Sequence, residues 1–145
     1  AEAPSTSTEA PSTSTDEVSR YISSIFPSPA RYGTSGDVVV GQAVFAIGNP
    51  RGLTRTMSAG LVSGLRRVIP SPAGRAIPGC IQIDAMIDAG NSGGALLDGA
   101  GRVVGINTAS FTRAGSGRGS GVNFALPIDM VREVVPGLIM RREGV

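Results

Sequence analysis

The chain has 145 residues, a length suited to one domain, and its 13 basic and 11 acidic residues leave a net charge of +2. The sequence holds no His and no Lys, so it excludes any His-based metal site, Ser-His dyad or Ser-Lys dyad built from its own residues. The single Cys80 excludes an intrachain disulfide and a multi-Cys zinc site, and no apolar run approaches the ~20 residues that cross a bilayer. Nucleic acid is not expected as a partner. The charge is small, the arginines are scattered, and the pI near 9.3 reflects the lack of groups that titrate between carboxylates and Arg.

In chain order, residues 9–15 repeat the EAPSTST of residues 2–8. This Ser/Thr/Pro stretch has little to bury, and residues 1–31 are expected to be a disordered tail. The first residue is Ala, which suggests a processed product or part of a longer protein. From Asp37 onward short apolar runs alternate with turn residues. Strands are expected at Gln42–Gly48, Thr56–Leu65, Cys80–Ala85, Gly94–Leu97, Arg102–Thr108 and Gly121–Leu126. The separators are Asn49-Pro50, Pro70-Ser71-Pro72, Asp98-Gly99 and Gly115–Gly119. Ile128, Val131, Val134, Val135, Leu138 and Ile139 then follow a helical period, with Pro127 suited to the start and Pro136 expected to kink or shorten the helix. The pattern predicts a mainly β domain, a barrel or sandwich of antiparallel strands, closed by one C-terminal helix.

The sharpest chemical feature is Gly90-Asn91-Ser92-Gly93-Gly94. A nucleophilic serine must project from a tight turn whose amides converge where an oxyanion forms, and flanking glycines permit that backbone. In isolation the same five residues also suit a plain glycine-rich hairpin.

Other motifs appear in order around it: Gly33-Thr34-Ser35-Gly36-Asp37, Val40-Gly41-Gln42, Val44 through Pro50, Ser63-Gly64, Ile81-Gln82, Asp84-Ala85, Leu96-Leu97, Gly105 through Ala109 and Phe124-Ala125. Together with GNSGG this series resembles the C-terminal half of a Deg/HtrA serine protease, of the plant and cyanobacterial type. The resemblance implies a trypsin-like, six-stranded antiparallel barrel over residues 32–145, the second of two barrels with the active site between them. It implies Ser92 as catalytic nucleophile and the backbone amides of Gly90, Asn91 and Ser92 as the oxyanion hole. Met86, Ile87, Asp88 and Ala89, with Ile106, Asn107 and Thr108, would bind the substrate side chain, which the apolar members suggest is small or medium and aliphatic. No metal or cofactor is implied.

The sequence departs from the family pattern at several places. Ala89 and Ala95 stand where Pro usually flanks the core, Asp88 stands where Asn is usual, and Arg51 replaces an aromatic residue after Asn-Pro. The family draws its catalytic His and Asp from the first barrel. Here Asp16 lies at about the right distance but lacks the apolar neighbours of a buried triad member. The function expected is therefore serine-type endopeptidase of protein quality control, with this chain carrying the nucleophile half and inactive alone. The partners expected are unfolded or damaged protein substrates, the missing first barrel and, in the full-length protein, further copies of itself. The sequence itself does not fix a compartment, and the plant-type resemblance favours the chloroplast, in the thylakoid lumen or stroma. The alternative is a non-catalytic barrel that binds peptides. Among weaker motifs, Asp88-Ala89-Gly90 lacks the hydroxyl of an aspartic-protease tripeptide, and Gly115–Gly121 lacks the final Gly and the helix of a nucleotide loop. Cys80 reads as a small buried hydrophobe.

Overall fold

The computed structural model describes residues 17, 19–22, 28–53, 55–71, 74–88, 90–112 and 119–142. Six strands form one closed barrel: β1 (Ala43–Gly48), β2 (Thr56–Ile69), β3 (Ile77–Ile83), β4 (Ala95–Asp98), β5 (Val103–Thr112) and β6 (Gly119–Pro127). Around the barrel the order is β1-β2-β3-β6-β5-β4, every pair antiparallel. Helix α1 (Ile128–Arg142) follows β6 directly and packs on β5 and β6. The six-stranded antiparallel barrel and the closing helix are as the sequence predicts.

Strand alternation builds the core. Val44, Ala46, Val62, Leu96 and Val104 point inward and bury with Ile81, Ile83 and Ala125. Cys80 is buried with Ile69 and Phe124, and burial pushes its thiol pKa up, so it packs as a neutral hydrophobe. On β1 and β2 the outward residues are apolar as well. Ala43, Phe45 and Ile47 lie opposite Leu61, Ala59 and Met57, and Leu97 of β4 pairs with Phe45 on the other side. Met57 is 61% and Leu61 46% exposed, so this sheet face carries side chains of the kind usually found inside.

Element ends differ from expectation where local backbone geometry intervenes. β2 continues past Leu65 to Ile69 because the ladder to β3 shifts register between Gly64 and Arg67, with Arg66 at φ +55 absorbing the extra residue. Pro136 does not shorten α1, which runs through to Arg142. Its missing N–H frees the carbonyl of Arg132, but both residues are exposed and water can satisfy the acceptor. Pro127 is the last residue of β6 rather than the first of the helix. Most of the tail and of the 115–121 loop lies outside the described residues. Glu17 and residues 19–22 are helical and exposed. The Arg31 carbonyl accepts from Val103 N of the barrel at 2.8 Å, while Gly33 N donates to Val103 O at 2.9 Å.

A clasp joins this entering segment to the helix. Ser35 Oγ donates to Asp129 Oδ2 at 2.7 Å and accepts from Asp129 N at 3.2 Å, and Gly36 N donates to the same carboxylate oxygen at 3.0 Å. Ser35 thus caps α1 from 94 residues away. The hydroxyl of Ser35, then the amides of Gly36 and Ser35, hold the Asp129 carboxyl below its ordinary value of 3.8, against a smaller opposing effect of burial. A carboxyl whose pKa is lowered on folding adds stability above its unfolded value and loses it as the pH falls through the folded value. Ser35→Ala is therefore expected to cost about 1 kcal/mol near neutral pH. That difference should narrow in acid as Asp129 is protonated, leaving the part due to the cap bond from Asp129 N, as read by thermal unfolding of both proteins from pH 7 down to pH 2.

Candidate active site

The Gly90–Gly94 segment is two turns placed back to back. Asn91 N donates to Asp88 O at 3.0 Å, and Gly94 N donates to Asn91 O at 3.0 Å. Gly90 and Gly93 take the third place of each turn at φ +106 and +84, the left-handed conformation that favours glycine. Ser92 is thereby left at the exposed corner of the second turn.

The segment is anchored on two sides. Gly90 O accepts from Asn49 N at 3.1 Å, tying the first turn to the end of β1. The approach is so close that a Cβ on Gly90 would lie 2.6 Å from Asn49 O. On the other side Gly93 N donates to Asn107 O at 2.8 Å, and Asn107 N donates to Gly94 O at 2.9 Å. Beneath the turns the Asn91 side chain is buried, its Nδ2 donating to Met86 O at 3.4 Å, and Ser58 Oγ donates to that same carbonyl at 2.7 Å.

The Ser92 hydroxyl donates to Thr108 O at 3.0 Å. Among the described residues none accepts from the amides of Gly90 or Ser92. The amide of Asn91 differs: it is committed to Asp88 O, so only two of the three expected oxyanion donors are available. An exposed hydroxyl beside two unengaged amides can act as a nucleophile and can solvate an anion. The sequence contains neither His nor Lys to serve that hydroxyl as a general base.

The residues expected to bind the substrate side chain are not all brought together. Met86 is exposed beside the turns, and Asp88 is exposed where the first turn begins. Ala89 lies outside the described residues. Ile87 is 5% exposed and belongs to the core cluster, because the backbone between Met86 and Asp88 turns it inward beneath the loop. Ile106 faces the opposite direction from its neighbour Asn107 and lines a cavity of about 320 Å³ under α1, with Leu126 and Val131. Asn107 is buried, and Thr108 contributes its carbonyl. Nothing local in the sequence marks Ser58, a strand serine, as the support of a segment 28 residues away. Among the described residues no cluster of His, Cys, Asp or Glu could hold a metal ion, and no helix is long and apolar enough to cross a membrane.

The closed barrel and this doubly turned serine define a trypsin-like domain: residues 22–106 match the trypsin-like peptidase domain family, and the chain belongs to it. Its relatives are Deg/HtrA proteases. It is 58% identical over 113 residues to the Arabidopsis thaliana chloroplastic protease Do-like 5, covering 78% of this chain and 35% of that protein. Against Escherichia coli serine endoprotease DegS the identity is 40% over 106 residues, covering 72% and 29%. Among solved structures, Deg5 superposes with a TM-score of 0.62 at 52% identity, covering 77% of this chain and 48% of that one. HtrA-type protease AlgW with a decapeptide gives 0.67 at 38%, covering 77% and 33%. The chain thus spans about a third of the length of these curated relatives.

Gly90→Ala would place a side chain in a left-handed backbone and against Asn49 at once. It is expected to destabilise the barrel by about 1–3 kcal/mol, measured by denaturant unfolding. Amide exchange should show the loss of protection concentrated at Asn49.

Proposed function

We propose that this chain is the nucleophile-bearing half of a serine endopeptidase that cleaves through an acyl-enzyme on Ser92. The observation that carries this reading is the exposed Ser92 hydroxyl at the corner of two glycine turns whose Gly90 and Ser92 amides have no acceptor among the described residues. In the reaction Ser92 Oγ attacks the scissile carbonyl carbon and gives up its proton to a base. The oxyanion then draws on the amides of Gly90 and Ser92, and collapse expels the amine, which takes a proton from the same base. Water releases the acyl group by the reverse logic. Asn91 serves the hole through its turn, which aims the Gly90 peptide, rather than by donating its own amide.

The base comes from a second body. Thr108 O accepts the Ser92 proton in a hydrogen bond but cannot carry it away, so the chain alone lacks a step worth roughly 10²–10⁴ in rate. The apolar outer face of β4, β1 and β2 is where a companion barrel bearing the base would dock, since β1 leads directly into the Asn49–Gly90 contact. Met86 beside the turns favours aliphatic side chains in the substrate, and unfolded or damaged proteins are the substrate class this reading assigns. Relatives named chloroplastic support a chloroplast location.

A fluorophosphonate probe tests the reading. The chain alone is expected to take no label. Mixed with the His- and Asp-bearing barrel of a Do-like relative it is expected to be labelled at Ser92, and Ser92→Ala to abolish the signal. Phe45→Glu, on the docking face, is expected to remove labelling in the mixture while leaving the melting temperature of the barrel unchanged. Label on the isolated chain would overturn the missing-base account. No label in any mixture would leave the barrel as a peptide-binding module.

A further inference from the structure

We propose that Asn107 is a positioning residue for Ser92, fixing the height of the nucleophile turn by bridging β1 and β4 at the point where their own ladder ends. The proposal rests on the reading of Ser92 as nucleophile, and it reassigns Asn107 from contact with substrate to support of the loop.

The ladder between β1 and β4 pairs Val44 with Asp98, Phe45 with Leu97 and Ala46 with Leu96. The next rung would join Ile47 and Ala95, where β4 emerges from the Ser92 turn, and no rung forms there. The Asn107 side chain, 1% exposed and projecting from β5, occupies that place. Its Nδ2 donates to Ile47 O at 3.3 Å and to Ala95 O at 3.2 Å. Its backbone meanwhile donates to Gly94 O at 2.9 Å and accepts from Gly93 N at 2.8 Å. One residue therefore makes four hydrogen bonds: to both glycines after Ser92, to the first residue of the strand that follows them, and to the β1 end against which Gly90 is tied.

Only an amide suits this position. Its two N–H groups match two carbonyls, whereas a carboxylate would set oxygen against oxygen and an aliphatic side chain would leave both carbonyls unpaired. The amide is costly in one respect, because Asn107 Oδ1 is buried with no partner among the described residues. That is a penalty a residue present for packing alone would not carry. Among the described residues, Asn91 is the other buried side chain with an unpartnered oxygen, and it sits under the same turns. Both orphaned acceptors thus lie at the one place where backbone geometry has to be held to a fraction of an ångström.

The test uses Asn107→Leu and Asn107→Ser in the full chain, the second keeping one donor in case the first does not fold. Backbone amide exchange at Gly93 is expected to quicken by an order of magnitude or more while Val62 in the core keeps its protection. In the two-barrel mixture the saturating fluorophosphonate labelling rate of Ser92 should fall about 100-fold, with the half-saturating probe concentration little changed. Asn107→Ser should fall between the wild type and Asn107→Leu. Loss of protection spread evenly over all strands, or labelling at the wild-type rate, would overturn the proposal. If the wild type itself takes no label in the mixture, the nucleophile reading fails on its own. Exchange at Gly93 would still decide whether Asn107 holds the turn.

Discussion

A serine that is to attack a carbonyl must be exposed, yet the backbone carrying it must not move. Exposure and rigidity conflict, because a loop gains order by burying side chains and this one has almost none to bury. The structure resolves the conflict with hydrogen bonds from below. Gly93 and Gly94 join the β5 ladder through Asn107, Gly90 is tied to Asn49, and the side chain of Asn91 turns down into the protein while Ser92 turns up. Remove that set of bonds and the barrel keeps its core, but the corner that presents the hydroxyl has no defined place.

The same constraint explains why the two turns are glycine-rich rather than merely polar. Each needs a left-handed residue in its third place, and the first also has to pass within van der Waals reach of the Asn49 carbonyl. The conformational entropy that Gly90 and Gly93 lose is offset by bonds made with strands on both sides. The Ser92 hydroxyl, held to Thr108 O, rests in an ordered position that asks nothing of a partner.

Much of the fold is legible in the sequence, because turn residues punctuate it so regularly. Asn49-Pro50 ends β1, and Asp98-Gly99 opens the β4–β5 hairpin. There the buried Asp98 carboxylate accepts from the amides of Ala100 and Arg102 and pairs with the Arg102 guanidinium at 2.8 Å. Burial raises the Asp98 pKa, but those hydrogen bonds outweigh it and hold the carboxyl low. Less legible is anything set by long-range geometry. The shift at Arg66 that prolongs β2 depends on how β3 meets it, and the passage of α1 through Pro136 depends on that turn facing water. In the site, the turns are readable from GNSGG, but the directions of Ile87 and Ile106 are not. A sequence gives the alternation of a strand, not which phase of it faces the core, and the irregular Asp84–Asp88 stretch has no period from which to infer one.

The Ser35–Asp129 clasp bears on how the barrel responds to force. The chain enters at Arg31 and leaves through α1, and the clasp fastens these two places together across 94 residues. A pull on the segment ahead of Gly33 is therefore met first by the Arg31 and Gly33 bonds to Val103, and behind them by a charge-assisted knot at the mouth of the helix, before any strand can be peeled. Tension from an attached tail or neighbouring module would have to undo that knot before it could unzip the sheet that presents Ser92.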